Sequence, residues 1–314
     1  MHPLDKFMLL VALPAVLLFS LLEAWVLSRR QAYDWKSMGV SVTDLLLRVA
    51  VGIFLPLSIV APLVSMAWKY RYTTLELDTW QAVALLFLAQ EFCYYGYHRA
   101  AHRVRWFWCN HAVHHSPNAL NLAAAYRIGI FGKLTGVSFF FLPMIWLGFA
   151  PRVVFATLTL NLLYQFWLHA TWIPKLGWME YVFNTPSAHR VHHAANLDYL
   201  DANYGGVLIV FDRLFGTYKP ERADLPCRYG LVQPQTSYNP LRVELDEWRK
   251  LGHDLLAARS LRALLGHLLR PPGWQPGGSG LTTEDLRARQ SPPKGDGTAL
   301  TTPATNTAAN ASVV

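Results

Sequence analysis

Charge is what this chain has least of. Only 15% of its 314 residues are Asp, Glu, Lys or Arg, and 53% are apolar. An average soluble domain carries roughly 25% charge, so the shortfall argues against an ordinary water-soluble domain and for a membrane protein. Cysteine is scarce too. Cys93, Cys109 and Cys227 are odd in number and widely spaced, with no C-x-x-C pair. That excludes a disulfide framework, and the three read as free thiols. There is no Rossmann glycine motif, flavin fingerprint or C-x-x-C-H haem site, so a redox reaction here would need a separate reductant. Acid is scarcer than base, giving a net charge of +8. The basic residues are dispersed and flank apolar runs, so the fitting partner is an anionic membrane surface and not nucleic acid.

The apolar runs are long. Phe7–Leu27 can span a bilayer core of ~30 Å at ~1.5 Å per residue. It lacks a basic leader and a small-residue cleavage site, so it reads as a retained helix. Further runs cover Val42–Trp68, Trp80–Tyr97, Phe131–Phe149 and Val153–His169. The last two are separated so briefly that they predict a helical hairpin. The expected fold is an all-α integral membrane protein of about four to five transmembrane helices, with a histidine-rich cap holding a dimetal centre. Arg29, Arg30 and Lys36, then Arg99, Arg103 and Arg105, make one face the more basic. The positive-inside rule puts that face, with the histidines, in the cytoplasm of a multi-pass protein of a bacterial inner membrane or endoplasmic reticulum. The domains expected are 1–79, N-terminal membrane helices; 80–221, the histidine domain; 222–270, a helical cytosolic segment; and 271–314, a tail. Its Pro, Gly, Thr and Ala content predicts disorder without chemistry.

Six of the 12 histidines fall in two copies of H-x-x-H-H: His111, His114, His115 and His189, His192, His193. A third box, H-x-x-x-H, is His98 and His102. Residues three and four apart share a helix face, so each box clusters its imidazoles on one stripe. Chance supplies H-x-x-H-H only about 0.02 times in a chain of this histidine frequency. Imidazole suits zinc, copper, iron and nickel. One zinc takes about four ligands, so eight box histidines are too many for one ion and suit two. His169, at the end of the fifth run, is the candidate ninth. His2, His253 and His267 stand outside the pattern.

Two other residues are candidates for orienting the ligands. Glu91 lies two helical turns before His98 in an apolar helix, where an acid is costly and usually functional; it is expected to accept an imidazole N–H. Asn203, with Asp198 or Asp201, follows the last box and is expected to orient His192 or His193. The aromatics Tyr94, Tyr95, Tyr97, Trp106, Phe107 and Trp108 read as an interface belt. The segment from Val207 to Gly216, "VLIVFDRLFG", reads as amphipathic and interfacial.

These boxes and their flanks, "EFCYYGYHRAAH", "WFWCNHAVHHSPNALNLAAAYR" and "NTPSAHRVHHAANLDYLDANYGGVLIVFDRLFGTY", resemble the fatty acid hydroxylase superfamily. That group includes sterol desaturases, sterol methyl oxidases and alkylglycerol monooxygenases. The last flank is similar to the alkylglycerol-monooxygenase and bacterial sterol-desaturase-like branch. The resemblance covers about Trp80–Glu221. It implies a non-haem centre of two ferrous ions that activates O2 at the cytosolic membrane face. The expected function is hydroxylation of an unactivated C–H bond of a fatty acyl, ether lipid or sterol. Electrons would come from a carrier protein, a reductase or a tetrahydropterin. A desaturase with the same centre is the nearest alternative. A metal transporter fits less well, because transporters place ligands near the bilayer midplane and these boxes lie mainly beyond the helix ends. Bis-histidine haem binding uses too few ligands.

Overall fold

The computed structural model describes residues 3–54 and 59–290. Among them every regular element is a helix, and β structure is confined to two isolated bridges, Phe183 with Leu208 and Ala194 with Tyr229. Helix α1 (Pro3–Arg29) and helix α2 (Trp35–Phe54) are long and apolar enough to cross a membrane. Their outer faces are uncovered apolar side chains, including Leu10, Leu18, Phe19, Leu46 and Ile53. Their polar residues Ser20, Glu23, Ser37, Ser41 and Asp44 are buried instead. This inside-out arrangement is what lipid favours and water does not. Glu23 accepts the Leu122 N–H at 2.6 Å and the Trp172 indole N–H at 3.0 Å.

Two of the expected runs are broken. The described parts of Val42–Trp68 form α2 and a separate nine-residue helix, α3 (Ala61–Lys69), opened by Pro62, which has no N–H to continue a helix; residues 55–58 lie outside the described set. Phe131–Phe149 is interrupted at Gly136, which is left-handed (φ 89°), leaving α6 (Val137–Leu147) short of a full span. Gly148 (φ 129°) then turns the chain, and a Cβ there would sit 2.4 Å from the Thr73 carbonyl. The hairpin arm that follows is α7 (Pro151–Gln165), extended by a tighter turn at Phe166–His169. Its core is Phe141, Met144, Ile145, Phe149 and Val154, packed on Leu86 and Tyr94 of α4 (Trp80–Arg103).

The helices run between two ends. At one, Asp5 of α1 meets Arg152 of α7, and Tyr72 and Leu75 bond to Trp146 and Gly148. At the other, Asp34 after α1 accepts from Tyr238 at 2.8 Å, beside the histidines and the C-terminal helices. There Val104, extended at φ −124° and ψ 116°, separates α4 from α5 (Arg105–His115). The later elements are α8 (Pro186–His192), α9 (Val210–Leu214), α10 (Pro240–Ala257), α11 (Leu261–Leu269) and α12 (Thr283–Gln290).

The expectation of a structureless tail from Pro271 fails for residues 271–290. Thr282 and Asp285 exchange bonds at the start of α12 in a reciprocal cap. Glu284 pairs with Arg103 at 2.6 Å, and Arg287 donates to the Leu200 carbonyl at 2.8 Å. Leu281 N–H closes onto Gly273. A Pro- and Gly-rich stretch stays ordered here because its few polar residues tie it to the histidine domain. Residues 291–314 lie outside the described set.

Candidate metal centre

Each box is held by simple local chemistry. α4 carries His98 and His102 on its last turns, and α5 carries His111, His114 and His115 on one side. Thr185 caps α8, its hydroxyl accepting from Ala188 N–H, and Pro186 follows at the first turn, where its missing N–H costs nothing. His189 and His192 lie on this single short helix and His193 caps it. His169 ends the extension of α7.

The structure gathers all nine candidates into two groups. His98, His102, His111, His115 and His192 form one; His114, His169, His189 and His193 form the other. Within each group the ligand atoms lie within 4.8 Å of one another. The groups adjoin, with the His115 and His193 rings stacked at 4.4 Å. Each H-x-x-H-H box is therefore split: its first and last members do not share a destination with its middle one.

Backbone carbonyls choose the tautomers. A carbonyl can only accept, so a ring Nδ1 beside one must carry the proton, leaving Nε2 a bare lone pair. His98 Nδ1 donates to the Tyr204 carbonyl at 2.8 Å and His114 Nδ1 to that of Arg127 at 2.7 Å. His192 donates to Ala202 at 2.9 Å and His169 to Gln165 at 3.0 Å. The Nε2 atoms then converge: His98 on His111 at 3.0 Å, and His169 on His189 at 3.3 Å. The Nε2 atoms of His102 and His192 are buried without a hydrogen-bond partner. Inward lone pairs and orphaned buried nitrogens fit metal ions.

Burial, reinforced by neighbouring histidines, holds His111, His115, His189, His192 and His193 well below the ordinary imidazole range. His114 is lowered to about 4, again chiefly by burial. All six are neutral at physiological pH, the form a metal takes.

Beside the centre lies a cavity of about 290 Å³. Its floor is His102, His115, His192 and His193, and its apolar wall includes Trp108, Leu200, Leu231 and Val232. Pro271, Leu281 and Leu286 complete it, so the segment taken for a tail roofs the site. Its charged residues balance: Arg105 and Lys250 line it with Asp201 and Glu247, Lys250 paired with Glu247 at 2.7 Å and Arg105 with Asp254 at 2.6 Å.

The expected orienting residues act elsewhere. Glu91 touches no imidazole. Its carboxylate accepts from Asn161 at 2.5 Å and from the Val207 and Leu208 N–H groups at 2.8 Å each. It holds the 204–208 turn, and the turn's Tyr204 carbonyl holds His98. Asn203 (φ 59°) donates its amide to the Ala188 and Lys219 carbonyls. It pins the loop to α8, while the neighbouring Ala202 carbonyl orients His192. Asp198 pairs with Arg222 at 3.2 Å, away from the rings. Asp201 faces His102, 3.8 Å from Nδ1 and beyond hydrogen-bond length, and bonds Arg103 at 2.7 Å. Burial pushes its pKa up, but His102 and Arg103 outweigh that and hold it down to about 2. The aromatic belt is only partly at the surface: Tyr94 is buried on Gln165, Tyr95 stacks on Phe215, and Trp108 lines the cavity. In α9, Asp212 is buried and bonds the Tyr204 and Gly205 N–H groups.

Missing from the sequence reading were Asp44, Asp212, Glu244 and the carbonyls of Arg127 and Tyr204. Asp44 did carry a signal, because it is an acid inside an apolar run just as Glu91 is.

A helical bundle with apolar outer faces and two adjoining all-imidazole groups at one end defines a histidine-box protein suited to two metal ions. The comparisons with known proteins give the lineage. Residues 83–217 match the family model described as fatty acid hydroxylase, and this histidine-box segment belongs to the fatty acid hydroxylase superfamily. It is 35% identical over 254 residues to an alkylglycerol monooxygenase of Xenopus tropicalis, covering 78% of this chain and 56% of the relative. It is 37% identical over 214 residues to the human alkylglycerol monooxygenase, covering 67% and 46%. An ornithine lipid hydroxylase, OlsE of Rhizobium tropici, is 32% identical over 152 residues, covering 46% and 44%. The chain spans about half the length of these curated relatives. No solved structure matches it.

Proposed function

We propose that this chain is a membrane-bound hydroxylase that uses O2 at a di-iron centre to oxidise a C–H bond of a lipid. The nine histidines His98, His102, His111, His114, His115, His169, His189, His192 and His193 would be the ligands. The observation that carries this is the pairing of two adjoining imidazole groups whose lone pairs face inward. When bound, two ferrous ions would supply the oxygen-activating chemistry that no side chain here has. The chain's own work is to orient the rings through backbone carbonyls, keep them neutral by burial, and position the substrate. The cavity beside His102 and His192 suits the reacting part of an amphiphile, apolar along Leu200, Leu231 and Leu286 and polar where Lys250 pairs with Glu247. The names of the relatives favour an ether lipid of the alkylglycerol class, with an ornithine lipid second. Electrons would come from a cytoplasmic carrier or a tetrahydropterin.

Lipid analysis of cells expressing the chain or its His192→Ala variant tests this. A lipid gaining one oxygen only with the intact chain is expected. Loss of two hydrogens would make the chain a desaturase, and an unchanged lipid pool would overturn the reading.

A further inference from the structure

One peptide group stands between a buried carboxylate and a metal-facing imidazole in each histidine group. In the first, Asp212 Oδ2 accepts the Gly205 N–H at 2.7 Å. The carbonyl of that same peptide belongs to Tyr204, and it accepts His98 Nδ1–H at 2.8 Å. In the second, Asp44 Oδ2 accepts the Ile128 N–H at 2.9 Å. The carbonyl of that peptide belongs to Arg127, and it accepts His114 Nδ1–H at 2.7 Å. The two aspartates come from unrelated elements, α9 and α2, and both are buried to 1% exposure or less. The peptides are fully committed. Asp212 also takes the Tyr204 N–H and the Thr217 hydroxyl, and Asp44 also takes the Gly129 N–H.

A peptide whose N–H donates to an anion has a more electron-rich carbonyl, because hydrogen bonds in a chain polarise one another. The carbonyl then draws harder on the imidazole Nδ1–H, and the opposite nitrogen becomes a better donor to a metal. A carboxylate bonded directly to a ligand histidine does this in one step; here the effect passes through an amide. The third carbonyl makes an internal contrast. His192 donates to Ala202, but the N–H of that peptide, on Asn203, donates to the neutral Thr217 carbonyl at 3.1 Å. Glu244 supports the second relay. It accepts the Ile130 N–H at 3.1 Å, beside the Ile128 and Gly129 N–H groups that Asp44 takes, and burial and the adjacent Asp44 push its pKa up.

We propose that Asp212 and Asp44 are positioning residues that each strengthen one metal-facing histidine, His98 and His114 respectively, through a single peptide group, one relay per metal site. This rests on the dimetal reading above. It assigns to the acid in α2 and the acid in α9 a role at the centre that neither reaches directly.

The test uses the full chain in detergent and Zn2+ as the probe, titrated against a chromogenic chelator. The wild type should bind two equivalents. Asp212→Asn keeps the shape and removes the charge, and should weaken one equivalent about tenfold while leaving the other within about twofold. Asp44→Asn should do the same to the other equivalent. In the double variant both should be about tenfold weaker, which shows that the two act on different ions. A merely structural role would weaken both equivalents together in each single variant, and that result overturns the proposal, as does an unchanged affinity. If an Asn variant does not fold, the zinc-loaded wild type decides by NMR. The Nδ1 protons of His98 and His114 should resonate further downfield than that of His192, and similar shifts for all three would contradict the relay. A wild type that binds no zinc removes the metal centre itself, whereas two bound equivalents indifferent to Asp212 and Asp44 remove only this proposal.

Discussion

At the scale of single residues, the ligands and their supports differ in kind. Histidines were legible because a metal needs that side chain, and helical spacing fixes which of them share a face. Their supports were not, because four of the rings are oriented by backbone carbonyls that any residue supplies. Glu91 and Asn203 were legible as important polar residues, but not as residues that hold a turn. The two roles differ in consequence. His114→Ala or His192→Ala should abolish activity and lower bound metal, while His253→Ala, exposed on α10, should leave both intact. Glu91→Gln removes charge from the Val207 and Leu208 N–H groups and not from the Tyr204–Gly205 peptide. Its metal affinity should fall less than the roughly tenfold expected of Asp212→Asn. A larger loss in Glu91→Gln would mean that the turn, and not the peptide relay, governs His98. Asn203→Asp deletes both amide donors at a left-handed position, leaving the Ala188 and Lys219 carbonyls short of partners. It should cost about 1–3 kcal/mol of stability by thermal or denaturant unfolding.

At the scale of elements, the C-terminal segment departs most from its sequence. Composition hid it: Pro, Gly, Thr and Ala suggested disorder. The local signal was "TTED", the reciprocal cap Thr282–Asp285 at the start of α12. Since Pro271, Leu281 and Leu286 line the cavity and Glu284 grips Arg103, truncation after Arg270 should reduce the proposed hydroxylation at least about tenfold, with any bound metal preserved. Truncation after Gln290 should retain activity. Equal activity in the two truncations would show that the segment does not shape the site. The short helices α5 and α8 carry a pH liability. Unfolded histidine takes a proton near pH 6.5, but the buried rings resist protonation, His114 down to about 4. There is no penalty above about pH 6.5; below it the unfolded chain binds more protons and stability falls. The melting temperature of metal-stripped protein should therefore drop steadily from about pH 6.5 towards 4.5. A flat profile would contradict the burial of these rings.

At the scale of the whole molecule, the all-helical class and the gathering of three distant boxes at one end were legible; the number of long helices was not. Hydropathy adds runs across breaks, and it missed the ends imposed by Pro62, Gly136 and Gly148. Glu23 and Asp44 explain why the two N-terminal helices are attached to the histidine domain: Glu23 takes the Leu122 N–H and the Trp172 indole N–H from that domain, and Asp44 the Ile128 and Gly129 N–H groups. Asp34 and Tyr238 put the first loop at the same end as the cap, as the basic-loop pattern expects. If that end is cytoplasmic, a cysteine introduced at the exposed Ser279 should react with a membrane-impermeant thiol probe only in opened cells. Labelling in intact cells would reverse the orientation and remove a cytoplasmic electron donor. The central claim is the dimetal centre, and elemental analysis of the purified full chain tests it most directly. The account predicts close to two iron ions per chain when iron is supplied, falling in His111→Ala and in His189→Ala, one from each group. A single zinc that persists under iron supplementation, or no bound metal at all, would contradict it.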